Sequence, residues 1–182
     1  MDRASDYESA GRGFESLRAR QDQPASLVAG KEAEEKDIYF MRLALDEAGL
    51  AFSEGEVPVG AVLVVNDSVL VKAHNARERL NDPSAHAEVI VLRECARLVK
   101  SWRLSNATLY VTKEPCVMCA GTMINARLGR LVYGCKDAKG GGVDSLYKIL
   151  NDKRLNHRAE VKSGVLESEC ALALKRFFEE RR

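Results

Sequence analysis

The sequence predicts an α/β domain, a mixed sheet of about five strands covered by helices, on three observations. Strand-sized apolar runs, the longest Val57-Pro58-Val59-Gly60-Ala61-Val62-Leu63-Val64-Val65, alternate with longer segments of helical period. The order of elements, α-β-β-α-β-α-β-α-β-α, combines one hairpin with strands separated by helices. A chain of 182 residues, 46% hydrophobic and 30% charged, suits one domain with a buried core. No run approaches the ~20 apolar residues of a membrane span.

Each element has its own signal. Ile38, Met41, Leu45 and Ala48, flanked by Phe40, Leu43 and Ala44, make an apolar helix face that breaks between Gly49 and Gly55. The strand from Val57 to Val65 turns at Asn66-Asp67, residues that tolerate positive φ, into a second strand, Ser68 to Ala73. Asp82-Pro83-Ser84 starts a helix running to about Val99, with Val89, Leu92, Ala96 and Val99 as its apolar spacing. Ala107 to Thr112 is the third strand. Pro115 suits the first turn of the next helix, Cys116 to about Ala126. A strand from Leu128 to Tyr133, a glycine-rich loop from Asp137 to Asp144 and a short helix, Ser145 to Leu150, follow. Glu160 to Ser163 is the last strand and Leu166 to Arg182 a closing amphipathic helix.

Residues 1–36 stand apart, with scattered charges, Gly11, Gly13, Pro24 and Gly30, and no sustained apolar period. They are expected to be a disordered extension before a domain at 37–182. The net charge of +1 hides a division: residues 1–37 hold six Lys/Arg and nine Asp/Glu, so the rest is mildly basic. Mild basicity is compatible with a phosphate-bearing partner without requiring one. The acidic N-terminus lacks a secretory apolar stretch, and five cysteines are an odd number. These features predict a cytoplasmic protein with Cys95, Cys135 and Cys170 as free thiols.

The chemistry is carried by Ala85-His86-Ala87-Glu88 and Glu114-Pro115-Cys116-Val117-Met118-Cys119. One imidazole and two thiolates suit zinc, and with no fourth protein ligand in view the set reads as a catalytic site rather than a closed structural one. Cys116 and Cys119, at i and i+3 in a first helical turn, share a face, and the unpaired amides there favour thiolates. His86 is placed in the first turn of its own helix. Glu88, two residues on, shares the site only if the metal lies over the helix end, where side chains lean toward the N-terminus. Zinc then lowers the pKa of a coordinated water, and Glu88 moves protons to a ring nitrogen and to departing ammonia. Taken singly, Cys-x-x-Cys is also a redox pair or half a structural site, and a histidine near a helix start is also a cap. Together they form a specific signature. Cys95, nine residues along the His86 helix, lies about 13 Å away by helix rise and does not complete a closed site.

These motifs resemble the zinc-dependent nucleobase deaminases. With Glu56-Val57-Pro58-Val59-Gly60-Ala61, Asp82-Pro83-Ser84, Asp137-Ala138-Lys139 and Asn156-His157-Arg158, the stretch from Ile38 to Arg182 is similar to the bacterial tRNA-specific adenosine deaminases. The resemblance implies a cytidine-deaminase-like three-layer α/β/α fold, usually a homodimer, and one zinc per subunit. The implied reaction is hydrolysis of adenosine to inosine at the first anticodon position of tRNA, a zinc-bound hydroxide attacking the ring carbon that bears the amino group. By position, His86, Cys116 and Cys119 would be zinc ligands and Glu88 the proton shuttle. Asn75 would lie beside the nucleoside, Val57 in the apolar wall, and Asp137 and Lys139 in a loop touching the anticodon. A carboxylate at Asp137 suits a ribose 2′-OH, favouring RNA over DNA, and Lys139 suits a phosphate. Without the resemblance, Asn75 is a turn residue after a strand, Asp137 a solvated loop acid and Lys139 free surface charge. Two places depart from the family pattern: Gly140-Gly141-Gly142-Val143-Asp144 after the loop, and Lys113, where an apolar residue is expected. The alternatives are a sister deaminase acting on guanine, cytosine or deoxycytidylate, and a silent RNA-binding subunit, which the presence of Glu88 disfavours.

Overall fold

The computed structural model describes residues 25–181. The chain divides into two units, 1–36 and 37–182. The disorder expected for 1–36 falls largely outside the described residues, but Ala25 onward is helical: helix α1 spans Ala25–Ser53 and passes through Gly49. The upstream turns have no apolar period, yet Lys31-Glu32-Ala33-Glu34-Glu35-Lys36 is a run of strong helix formers with exposed side chains. Intrinsic propensity extended the helix where periodicity gave no signal.

The second unit carries the sheet. Strands β1 (Gly60–Val65) and β2 (Ser68–His74) form the expected hairpin; β3 (Ala107–Lys113), β4 (Arg130–Cys135) and β5 (Glu160–Lys162) complete five strands in the order β2-β1-β3-β4-β5. β1 is antiparallel to both β2 and β3, whereas β3–β4 and β4–β5 are parallel. The hairpin turn has φ of 50° at Asn66 and 59° at Asp67, the two positive values that a primed two-residue turn requires. The helices are α2 (Arg77–Leu80), α3 (Ala87–Leu98), α4 (Val117–Asn125) and α5 (Glu167–Glu179). The single-turn α2 has no apolar signal. The helix expected at Ser145–Leu150 is instead a turn followed by a 3-10 segment, Ile149–Asn151.

Strand alternation distributes the core over two faces. Ala61 and Leu63 of β1, Leu109 and Val111 of β3, and Leu131 and Tyr133 of β4 pack with Ala87, Val91 and Cys95 of α3 and Ala120 and Met123 of α4. Val62, Val64, Tyr110 and Val132, the intervening positions, pack with Phe40, Met41 and Ala44 of α1 and Cys170 of α5. This is the expected three-layer α/β/α arrangement. Gly60 permits the closest approach: a Cβ there would lie 2.0 Å from the Ala44 carbonyl oxygen.

One buried ion cluster ties α1 to the far edge of the sheet. The Asp37 carboxylate accepts bonds from Arg130 Nη1 (2.7 Å) and Nη2 (2.9 Å), Lys162 Nζ (2.8 Å) and Tyr110 Oη (2.9 Å). Against the cost of burial, these donors hold its pKa down at about 2.

Candidate metal centre

Two helix starts meet at the carboxyl end of β3. His86 is the N-cap residue of α3, with extended backbone (φ −79°, ψ 146°), and Cys116 is the N-cap of α4 (φ −72°, ψ 174°). Neither side chain caps its helix. Both were expected one step later, inside the first turn, and the difference matters. An extended His86 frees the pair His86/Glu88 from helical geometry, which would have put them on opposite sides. The capping is done instead by Asn75, whose Oδ1 accepts the Ala87 N–H at 3.2 Å.

The three donor atoms form a near-equilateral triangle. Cys116 Sγ lies 3.6 Å from Cys119 Sγ and 3.7 Å from His86 Nδ1, and Cys119 Sγ lies 3.5 Å from His86 Nδ1. Zinc bond lengths of about 2.3 Å to sulfur and 2.0–2.1 Å to nitrogen, at tetrahedral angles, call for separations of roughly 3.5–3.8 Å. The three residues are the His/Cys cluster of the described residues able to hold a metal ion. Protons distribute unevenly over the triad. A hydrogen bond from the Cys119 thiol, together with the His86 ring, holds Cys116 down at about 3, while the same pairing and burial push Cys119 up. Hydrogen bonding to Cys116 raises His86. A soft divalent cation would replace these shared protons, binding all three atoms in deprotonated form.

Glu88 is 4% exposed, and burial raises its pKa. Its Oε2 is the buried side-chain polar atom that finds no partner among the described residues. An unpaired buried oxygen costs about 1–3 kcal/mol, so a stable fold retains one where a ligand or reactant supplies the missing bond. His86, Glu88 and Cys116 line one cavity of about 220 Å³ with Val57, Asn75 and Lys113. That volume is below the ~300–1,000 Å³ of drug-sized sites and fits one small planar group. Val59, Arg77, Glu114 and Phe178 complete the lining. Arg77 sits in the unpredicted α2 and Phe178 in the C-terminal helix, and no local pattern connects either to the metal motif.

The loop after β4 is held from below. Glu114, 1% exposed, accepts the backbone N–H of Asp137 (3.0 Å), Val143 (3.2 Å), Asp144 (2.8 Å) and Ser145 (2.9 Å), and the Ser145 hydroxyl. Against its burial, these donors hold it down at about 2. Gly141 is required here, since a Cβ would fall 2.4 Å from the Glu114 carboxylate. Asp137 does not line the cavity. Its Oδ2 is paired with Lys113 Nζ and its Oδ1 accepts the Lys139 N–H at 3.0 Å. The Lys139 side chain is exposed. Val57, Asn75, His86, Glu88 and Cys116 thus share one cavity, with Cys119 set against His86 and Cys116 at one corner. Asp137 adjoins that cavity through Lys113 and through its N–H bond to Glu114, and Lys139 stands outside.

A family model for MafB19-like deaminases matches residues 34–182. The chain is 48% identical over 147 residues to the tRNA-specific adenosine deaminase of Bacillus subtilis, covering 81% of this chain and 91% of that protein. A solved structure from work on A-to-I editing by tRNA:A34 deaminases at the wobble position of transfer RNA superposes with a TM-score of 0.72 at 45% identity, over 75% of this chain and 99% of that one. A guanine deaminase from Nitrosomonas europaea shares the fold at 20% identity, with a TM-score of 0.63 over 79% of this chain and 83% of its own.

Proposed function

The chain belongs to the MafB19-like deaminases and, within them, to the tRNA-specific adenosine deaminase family, and we propose that it hydrolyses adenosine to inosine at the first anticodon position of a tRNA. The observation that carries this reading is the unpartnered Glu88 oxygen in a base-sized cavity beside the His86–Cys116–Cys119 triangle. The donor set fits zinc, one ion per chain. When bound, zinc makes water a competent nucleophile near neutral pH.

The chain's own groups do the rest. Val57 packs against the face of the adenine. Asn75, its oxygen committed to Ala87, offers its amide N–H groups to the substrate. Glu88, buried at the cavity with one oxygen unpaired, takes a proton from the attacking water. It passes this proton to the ring nitrogen beside the attacked carbon. Glu88 then takes the remaining proton of the added hydroxyl and gives it to the amino group, so that the C–N bond breaks, ammonia leaves and the carbonyl of inosine forms. The Asp137–Lys139 loop contacts the anticodon ribose and backbone.

Zinc-loaded protein incubated with an anticodon stem-loop bearing adenosine at the first anticodon position, beside free adenosine, guanine and cytosine, is expected to form inosine in the stem-loop alone. It should contain about one zinc per chain by elemental analysis, the single-ion stoichiometry of a catalytic site. Ammonia released from a free base instead would place the activity with a sister family. Full activity with under half an equivalent of zinc would refute the metal role.

The chain also pairs with a second copy, in this reading, through the outward side of α3 and α4. Val89, Leu92, Ala96, Trp102, Thr122 and Ala126 line a shallow apolar depression there, and Trp102 is 53% exposed. The expected species in sedimentation at micromolar concentration is a dimer; a monomer would overturn this assignment. Among the described residues no helix is long and apolar enough to cross a membrane.

A further inference from the structure

We propose that Lys113 is a substrate-binding residue of this chain's cavity, its ammonium held by Asp137 at the rim to receive a phosphate adjoining the target nucleoside. The inference rests on the RNA-deaminase reading above. Lys113 ends β3 and pairs with Cys135 of the parallel neighbour, so it stands at the carboxyl end of the parallel strands, where open α/β sheets bind ligands. It lines the same cavity as Asn75, His86, Glu88 and Cys116.

The ammonium is fixed in place. Its bond to Asp137 Oδ2 uses one of three N–H groups and leaves two for a ligand, and the side chain remains 29% exposed. Asp137 is itself anchored: its N–H donates to Glu114 Oε2 at 3.0 Å and its Oδ1 accepts from Lys139 N at 3.0 Å. A lysine tethered this way loses less freedom on binding than one moving through solvent.

Charge points the same way. An uncompensated Asp137 beside the mouth would repel an RNA backbone. Lys113 cancels that charge, and Arg77, exposed and also lining the cavity, adds a cation beside the buried acids Glu88 and Glu114. A base seated in this cavity of about 220 Å³ would bring its flanking phosphates toward the cationic lining residues Lys113 and Arg77. Holding the loop does not account for Lys113, because Glu114 already binds four backbone N–H groups and one hydroxyl of that loop.

The test compares wild type with Lys113→Gln and Lys113→Arg on the anticodon stem-loop. Matched stem-loops carry an uncharged methylphosphonate at the phosphate on one or the other side of the target adenosine. In Lys113→Gln, KM is expected to rise about tenfold, as loss of one hydrogen bond to a charged group implies, with kcat within about twofold. The slope of log affinity against log salt should fall by about one. Lys113→Arg should restore KM. One of the two methylphosphonates should weaken wild type and impose no further loss on Lys113→Gln. Three outcomes would overturn the proposal: an unchanged KM, a loss confined to kcat, or no methylphosphonate effect on wild type, the last independent of how the variants fold. Wild type that edits no stem-loop overturns the parent reading instead.

Discussion

Glu88→Gln is expected to lower kcat on the stem-loop by about 10²–10⁴-fold, the usual contribution of a positioned acid-base group. Zinc content should stay unchanged, because the proposed donor atoms are those of His86, Cys116 and Cys119, which together could hold a metal ion. The substitution keeps the shape of the side chain and removes its ability to exchange a proton. It should also leave the melting temperature equal or higher, since the native carboxylate is buried with an oxygen unpaired. A stability loss with preserved turnover would assign Glu88 to the fold and remove it from the mechanism.

Asp37→Ala is expected to cost about 2–3 kcal/mol, less than the full range for a one-sided break of a buried pair, because Arg130 and Lys162 are partly exposed and Arg130 keeps Glu160. In a domain of this size that is on the order of 10 °C in Tm. Arg130 and Lys162 would keep their positive charges with their shared acceptor gone. The pH dependence has a definite sign. The folded pKa of Asp37, about 2, lies below its ordinary 3.8. Its ionic contribution, about 2 kcal/mol by the size of that shift, is therefore present above pH ~4 and is lost as pH falls through the folded value. Urea melts of wild type and variant should differ most at pH 7 and less at pH 3. A difference under about 1 kcal/mol at pH 7 would show that the cluster is dispensable.

Much of the site was legible because metal chemistry demands particular residue types at short spacings. Cys116-x-x-Cys119 can meet one ion from a single helix start, and His86 and Glu88 lie within three residues of each other. The fold class followed for a similar reason, since period and turn chemistry are local. Asn66-Asp67 gave the hairpin. The stripe chosen for the His86 helix shows where local reasoning stops. Val89, Leu92, Ala96 and Val99 have helical spacing, yet Ala87, Val91, Leu92 and Cys95 are the buried apolar residues, with Glu88 buried among them. Val99 is 41% exposed. The helix is apolar around more of its circumference than one core face needs, and periodicity does not say which part meets the sheet.

The sequence by itself determined most of the elements, the His86, Cys116 and Cys119 set that could hold a metal, and the family, because each depends on residues close in the chain or on a shared pattern. Only the tertiary structure decided that His86 and Cys116 are extended N-caps meeting in one triangle. It also decided that Asn75 caps a helix at the cavity wall, and that Asp137 meets its cation from the end of another strand. These are contacts between distant segments, set by how strands β1, β3 and β4 align and how α3 and α4 dock on them, and no periodicity encodes a distance across a sheet.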